Sequence, residues 1–162
     1  MLTIQSILSG KLNMKEDKKK VVEQNTWSKL AKKAKHAYQI AYAPYSNFHV
    51  GAAALTTDNK IVQGCNVENA SYGLTVCAER HCIAQGVINN ETNDTVEFSA
   101  IVIYTEQEKL TPPCGACRQV IVEFFPQDAV VMAVNHLNEQ KKWTVEQLLP
   151  DAFTPESLFN KT

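Results

Sequence analysis

The sequence predicts an α/β protein, a three-layer α/β/α sandwich around a mixed five-stranded sheet. Three observations carry this. First, residues 48–56 and Ile61–Cys65 are apolar and β-prone apart from His49, and they flank an Asp58-Asn59 turn, which reads as a hairpin. Second, residues 98–104 and 129–134 are runs of apolar character, broken only by Ser99, the pattern of strands buried on both faces. Third, apolar residues recur at helical spacing before the hairpin and between the later strands. The order helix, hairpin, helix, strand, helix, strand brings right-handed crossovers and helices on both sheet faces.

Residues 1–24 carry no strong fold signal and read as an arm. Ile4, Ile7 and Leu8 offer one amphipathic turn, residues 15–20 are mostly charged, and Met14 is a second possible start. The stretch lacks the long apolar segment of a secretory leader. Residues 25–162 are expected to form a single domain, and 162 residues suit one well-buried core. Trp27, Leu30, Ala31, Ala34, Tyr38 and Ala41 mark the first helix, which Thr26 is placed to cap. It should end near Ala43, because Pro44 disfavours helical geometry in the residue before it. Lys29, Lys32, Lys33 and Lys35 fall on its other side, as a solvated face or a nucleic-acid patch. Further helices are expected over 77–88 and 114–125. Cys117, Val120, Ile121, Phe124 and Phe125 keep the period in the latter. The last strand includes Trp143 and is followed by a short helix over 145–149.

A net charge of −1 disfavours a polyanion as main partner, and no apolar run reaches membrane-span length. Five cysteines are an odd number, so metal binding in a reducing cytoplasm is a better use for them than disulfides. Cys114 and Cys117 lie three apart at a helix start beside Pro113, where their thiolates can face one point. Cys77 opens another helix, two residues before Glu79. Helix N-termini carry partial positive charge, which favours the thiolates that zinc requires. Three protein ligands leave a fourth tetrahedral position for water, the pattern of a catalytic rather than a structural site. Cys65 and Cys82 read as small buried hydrophobes. His81 and His49 are ligands by type but lack the spacing. Arg80 is either an ordinary surface arginine or a donor of charge-assisted hydrogen bonds to the thiolates.

The Cys77-Ala78-Glu79 and Pro113-Cys114-Gly115-Ala116-Cys117 pair resembles the zinc-deaminase signature. With residues 42–48, 50–53, 66–73 and 148–153, the chain from Trp27 to Leu158 resembles the small cytidine deaminases. His49 departs from the proline expected there. The resemblance implies hydrolytic deamination of cytidine and 2′-deoxycytidine to the uridines with release of ammonia, in pyrimidine salvage. It implies one Zn²⁺ per subunit on Cys77, Cys114 and Cys117, with Glu79 as the proton carrier. It places Phe48 beside the nucleoside, Asn66 and Glu68 on the 3′-hydroxyl, and the Ala78 N–H on the base. Asn66 and Glu68, two apart on an extended segment, share a face, so they either grip one hydroxyl or satisfy a turn. The resemblance also implies a homotetramer, with Phe153 and the Tyr72 region reaching a neighbour's site. Other readings are deamination of a cytosine-containing antibiotic such as blasticidin S, a polynucleotide editor, and a non-catalytic zinc-stabilised interaction module. The 149–153 tail favours the nucleoside, the net charge disfavours the polynucleotide, and Glu79 speaks against the module.

Overall fold

The computed structural model describes residues 22–91 and 95–159. The expected arm lies almost wholly outside the described residues. The elements are α1 (Gln24–Gln39), β1 (Gly51–Thr56), β2 (Ile61–Cys65), a 3₁₀ turn (Tyr72–Leu74), α2 (Ala78–Ile88), β3 (Phe98–Thr105), α3 (Gly115–Phe124), β4 (Val130–Asn135), β5 (Gln140–Thr144), α4 (Val145–Leu148) and α5 (Pro155–Phe159).

The five strands form one mixed sheet in the order β2-β1-β3-β4-β5. β3 and β4 are parallel, in register from Ala100↔Val130 to Thr105↔Asn135. The other neighbouring pairs are antiparallel. The chain crosses from β2 to β3 through α2 and from β3 to β4 through α3. Both helices pack on one face, in a core with Ala52, Ala54, Phe98, Ile101 and Ile121. α1 covers the other face through Trp27, Leu30 and Ala34 against Ala53, Val102 and Met132. The sandwich therefore has the three expected layers. Alternate residues of β1 and β3 face opposite layers, which is why these strands are apolar on both faces, apart from Thr56, Ser99 and Thr105.

Two glycines let the helices sit close on the hairpin. A Cβ at Gly51 would lie 2.0 Å from the Ala34 carbonyl oxygen of α1. One at Gly64 would lie 2.3 Å from the Cys82 backbone nitrogen of α2. Both positions thus require a residue without a side chain.

Several boundaries differ from expectation. The N-cap of α1 is Glu23 rather than Thr26, and no side chain among the described residues caps it. α1 ends at Gln39, well before Pro44. The backbone of Tyr42 is used elsewhere: its N–H donates to Asn66 O (3.1 Å) and its carbonyl accepts from Glu68 N–H (2.8 Å). β1 begins at Gly51 rather than Phe48, because the Asn66 amide takes the Val50 N–H and the Phe48 carbonyl. Thr144 and Gln147 form a capping box that starts α4. α5 was not anticipated. Lys29, Lys32, Lys33 and Lys35 are exposed, as a solvated face would be.

Candidate active site

Cys77 and Cys114 are the N-caps of α2 and α3, each with extended backbone angles, instead of the first helical residues. Cys117 sits within the first turn of α3 and is fully buried. The two crossovers thereby aim both helix N-termini, with their partial positive charge, at one place. The sulfurs of Cys77 and Cys114 are 3.9 Å apart. All three sulfurs lie within 4.8 Å of one another. Zn–S bonds of about 2.3 Å in a tetrahedron place sulfurs about 3.8 Å apart, so this donor set fits zinc.

The cluster is electrostatically primed. The Cys77 thiol is pulled down to about 5, first by a hydrogen bond from Cys117 and further by Arg80 and Cys114. Cys117 is pushed up, by holding its proton against Cys77 and by burial. A bound dication replaces that shared proton. One Arg80 nitrogen, Nη2, lies 3.7 Å from Cys77 Sγ and donates to the Thr75 carbonyl at 3.3 Å. Its Nε is buried with no hydrogen-bond partner among the described residues.

Glu79 is 4% exposed, and burial pushes its carboxyl above the usual carboxylate range. It lines a cavity of about 250 Å³ together with Cys77, Cys114, Phe48, Asn66 and Glu68. Two of the three converging thiols, a buried carboxyl, an aromatic ring, an amide and a second carboxylate thus share one hollow. A larger hollow of about 430 Å³ beside Trp27 and Lys142 contains none of these groups.

The other expected residues divide. Ala78 is fully buried in the first turn of α2. Tyr72 and Phe153 are 76% and 58% exposed and do not line the cavity of their own chain. Tyr72 rests edge-on against Tyr45, with ring centroids 6.0 Å apart. The Phe153 carbonyl accepts from Gln119 Nε2 at 2.7 Å. Cys82 is buried, as expected, with Sγ 3.5 Å from Val62 O. Cys65 is not buried but partly exposed, with its sulfur 3.9 Å from Ile40 O. His81 Nδ1 is engaged by Cys65 O at 2.9 Å, and the His49 ring packs on Tyr38. Sequence reasoning gave no role to Ser46 or Thr111, which also line the cavity. Only for Ser46 was there a local cue, a serine two residues before Phe48 at a turn.

A family model described as "Cytidine and deoxycytidylate deaminase zinc-binding region" matches residues 24–134. The cytidine deaminase of Halalkalibacterium halodurans is 44% identical over 129 residues, covering 80% of this chain and 95% of that protein. That of Sporosarcina psychrophila is 42% identical over 130 residues, covering 80% and 93%. The crystal structure of cytidine deaminase from Burkholderia pseudomallei superposes with a TM-score of 0.72 at 44% identity, covering 78% of this chain and 98% of that one. The one from Mycobacterium tuberculosis gives 0.67 at 37% identity, covering 79% and 97%. With the metal-fitting thiols, the buried glutamate and these matches together, the chain belongs to the zinc-binding cytidine and deoxycytidylate deaminase family.

Proposed function

We propose that this chain hydrolytically deaminates cytidine and 2′-deoxycytidine, giving the uridines and ammonia as a step of pyrimidine salvage. The observation that carries the reading is the buried Glu79 sharing one hollow with Cys77 and Cys114, whose thiols converge with that of Cys117. Cys77, Cys114 and Cys117 would hold zinc, which would supply the Lewis acidity that activates water near neutral pH. Glu79 would take a proton from the attacking water, deliver it to ring N3, and then help protonate the departing amine. A carboxyl raised by burial suits a group that must both accept and donate a proton near neutral pH. Water and the cytosine ring go in; the uracil ring and ammonia come out.

The grips follow from hydrogen-bond capacity. The Asn66 amide has two N–H donors, and the Phe48 carbonyl takes one. Glu68, an ionised acceptor held by the 45–46 turn, keeps lone-pair capacity for a donor. A sugar 3′-hydroxyl that accepts from Asn66 and donates to Glu68 satisfies both. Phe48 supplies an aromatic wall, and the first-turn amide of Ala78 supplies a donor for the base. Arg80 draws charge from the thiolates and so keeps the metal acidic.

The working unit in this reading is a homotetramer with shared sites. The outward placement of Tyr72 and Phe153 supports it, since neither reaches its own cavity. The reading assigns a reducing cytoplasm, where thiols persist. No helix among the described residues is long and apolar enough to cross a membrane. The test is loss of cytidine absorbance by purified protein of measured zinc content. A folded, zinc-loaded protein that forms no uridine overturns the reading.

A further inference from the structure

We propose that Ser46 is a positioning residue for nucleoside binding, acting through Glu68 and Phe48. This rests on the reading above, in which the hollow takes the sugar and base. The Ser46 hydroxyl donates to Glu68 Oε1 and accepts from the Phe48 N–H at 3.0 Å. One hydroxyl therefore ties the carboxylate that meets the sugar to the aromatic that walls the base.

The remaining bonds leave Ser46 as the link between the two. Glu68 Oε2 is held by the N–H groups of Tyr45 (2.8 Å) and Ser46 (3.2 Å). The turn itself is closed by Asn47, whose N–H donates to Ala43 O at 3.0 Å and whose φ is 56°. Asparagine tolerates that left-handed geometry, which swings the chain so that Phe48 lines the hollow. On the far side, Asn66 Nδ2 donates to the Phe48 carbonyl and its Oδ1 accepts from Val50 N–H, both at 2.8 Å. Phe48 is thus clamped at its carbonyl by Asn66 and at its N–H by Ser46. The Ser46 hydroxyl is also the foremost cause holding the Glu68 carboxyl below the usual range, so Glu68 stays an ionised acceptor.

A hydroxyl donates and accepts at once, which a methyl cannot do and a thiol does poorly. In Ser46→Ala, Glu68 Oε1 and the Phe48 N–H both lose a partner. Ser46 is exposed, so water replaces the lost bonds and the fold persists. What is lost is the preset orientation of carboxylate and ring, which then has to be fixed during binding. Thiols and Glu79 are untouched, so the chemical step is unchanged.

The test is steady-state deamination of cytidine and 3′-deoxycytidine by the zinc-loaded parent, Ser46→Ala, Ser46→Cys and Ser46→Thr. For cytidine, the Ala variant should raise KM about tenfold with kcat within about twofold, a pre-organisation effect. The near-isosteric Cys variant should behave like Ala, which covers any folding defect of Ala. Thr restores a hydroxyl and should return KM to within about threefold of the parent. On 3′-deoxycytidine the Ala penalty should shrink, because the Glu68 contact no longer exists to be mispositioned. An unchanged KM in Ala and Cys, a fall in kcat alone, or a Thr variant no better than Ala overturns the role of Ser46. A zinc-loaded parent that leaves cytidine intact instead overturns the nucleoside reading on which it rests.

Discussion

The sulfurs of Cys77 and Cys114 lie 3.9 Å apart although 37 positions separate them in the chain. Each is the N-cap of a crossover helix on the same sheet face, so the sheet fixes their meeting. A metal held there would tie α2 to α3 through Cys77, Cys114 and Cys117. Cys114→Ala should therefore lose both zinc and turnover, and lower the melting temperature, since metal affinity is linked to folding. Cys65→Ala and Cys82→Ala should retain about one zinc per chain. Metal analysis on gel-filtered protein checks this; full occupancy in Cys114→Ala removes it from the ligand set.

Glu79→Gln should fold and hold zinc but lose about 10²–10⁴-fold in kcat, the usual worth of acid–base catalysis. Activity within about threefold of the parent rejects the proton-carrier role. A pH signature accompanies it in chelator-treated protein. The folded-state carboxyl is raised by burial, so the folded chain binds more protons than the unfolded one above the ordinary carboxylate range. Stability from this group is then full at low pH and lost as pH rises. Metal-free Glu79→Gln should gain on the parent as pH climbs from 4 to 7. Melting curves at several pH values read the difference.

Three thiolates on Zn²⁺ leave one net negative charge before any water is activated. Arg80, 3.7 Å from Cys77 Sγ, would offset part of it. Arg80→Gln should keep the metal and lower kcat about tenfold, in line with outer-shell substitutions elsewhere. Its pH–rate profile should shift to higher pH as the metal becomes a weaker acid. Kinetics identical to the parent return Arg80 to an ordinary half-buried arginine.

Phe153 and Tyr72 are exposed and do not line their own cavity, which fits sharing across subunits. Sedimentation should give about four chains per particle, a closed assembly. Phe153→Ala and Glu79→Gln, each nearly inactive alone, should regain activity when their subunits are exchanged. Mixed particles then contain sites with an intact Glu79 and a neighbour's intact Phe153. An active monomer, or no recovery after proven exchange, confines Phe153 to its own subunit.

Contacts between near neighbours in the chain were legible in the sequence. Cys114 and Cys117 share a helix start because three residues span less than one turn. The apolar runs of β3 and β4 announced burial on both faces, and the spacing of Trp27, Leu30 and Ala34 announced the buried stripe of α1. What required the folded chain were the long-range choices. Sequence marked five strands, but their order depends on which faces the helices cover, and β1 lies between β2 and β3. Local propensity extended α1 toward Pro44, while the bridge from Tyr42 to Val67 stopped it at Gln39. Likewise, period-2 geometry put Asn66 and Glu68 on one face. Only the tertiary structure showed both already holding the 45–50 segment, through hydrogen bonds whose partners lie 16 to 23 positions away. Such bonds form when the sheet has assembled and brought the loops together, and no local pattern encodes them.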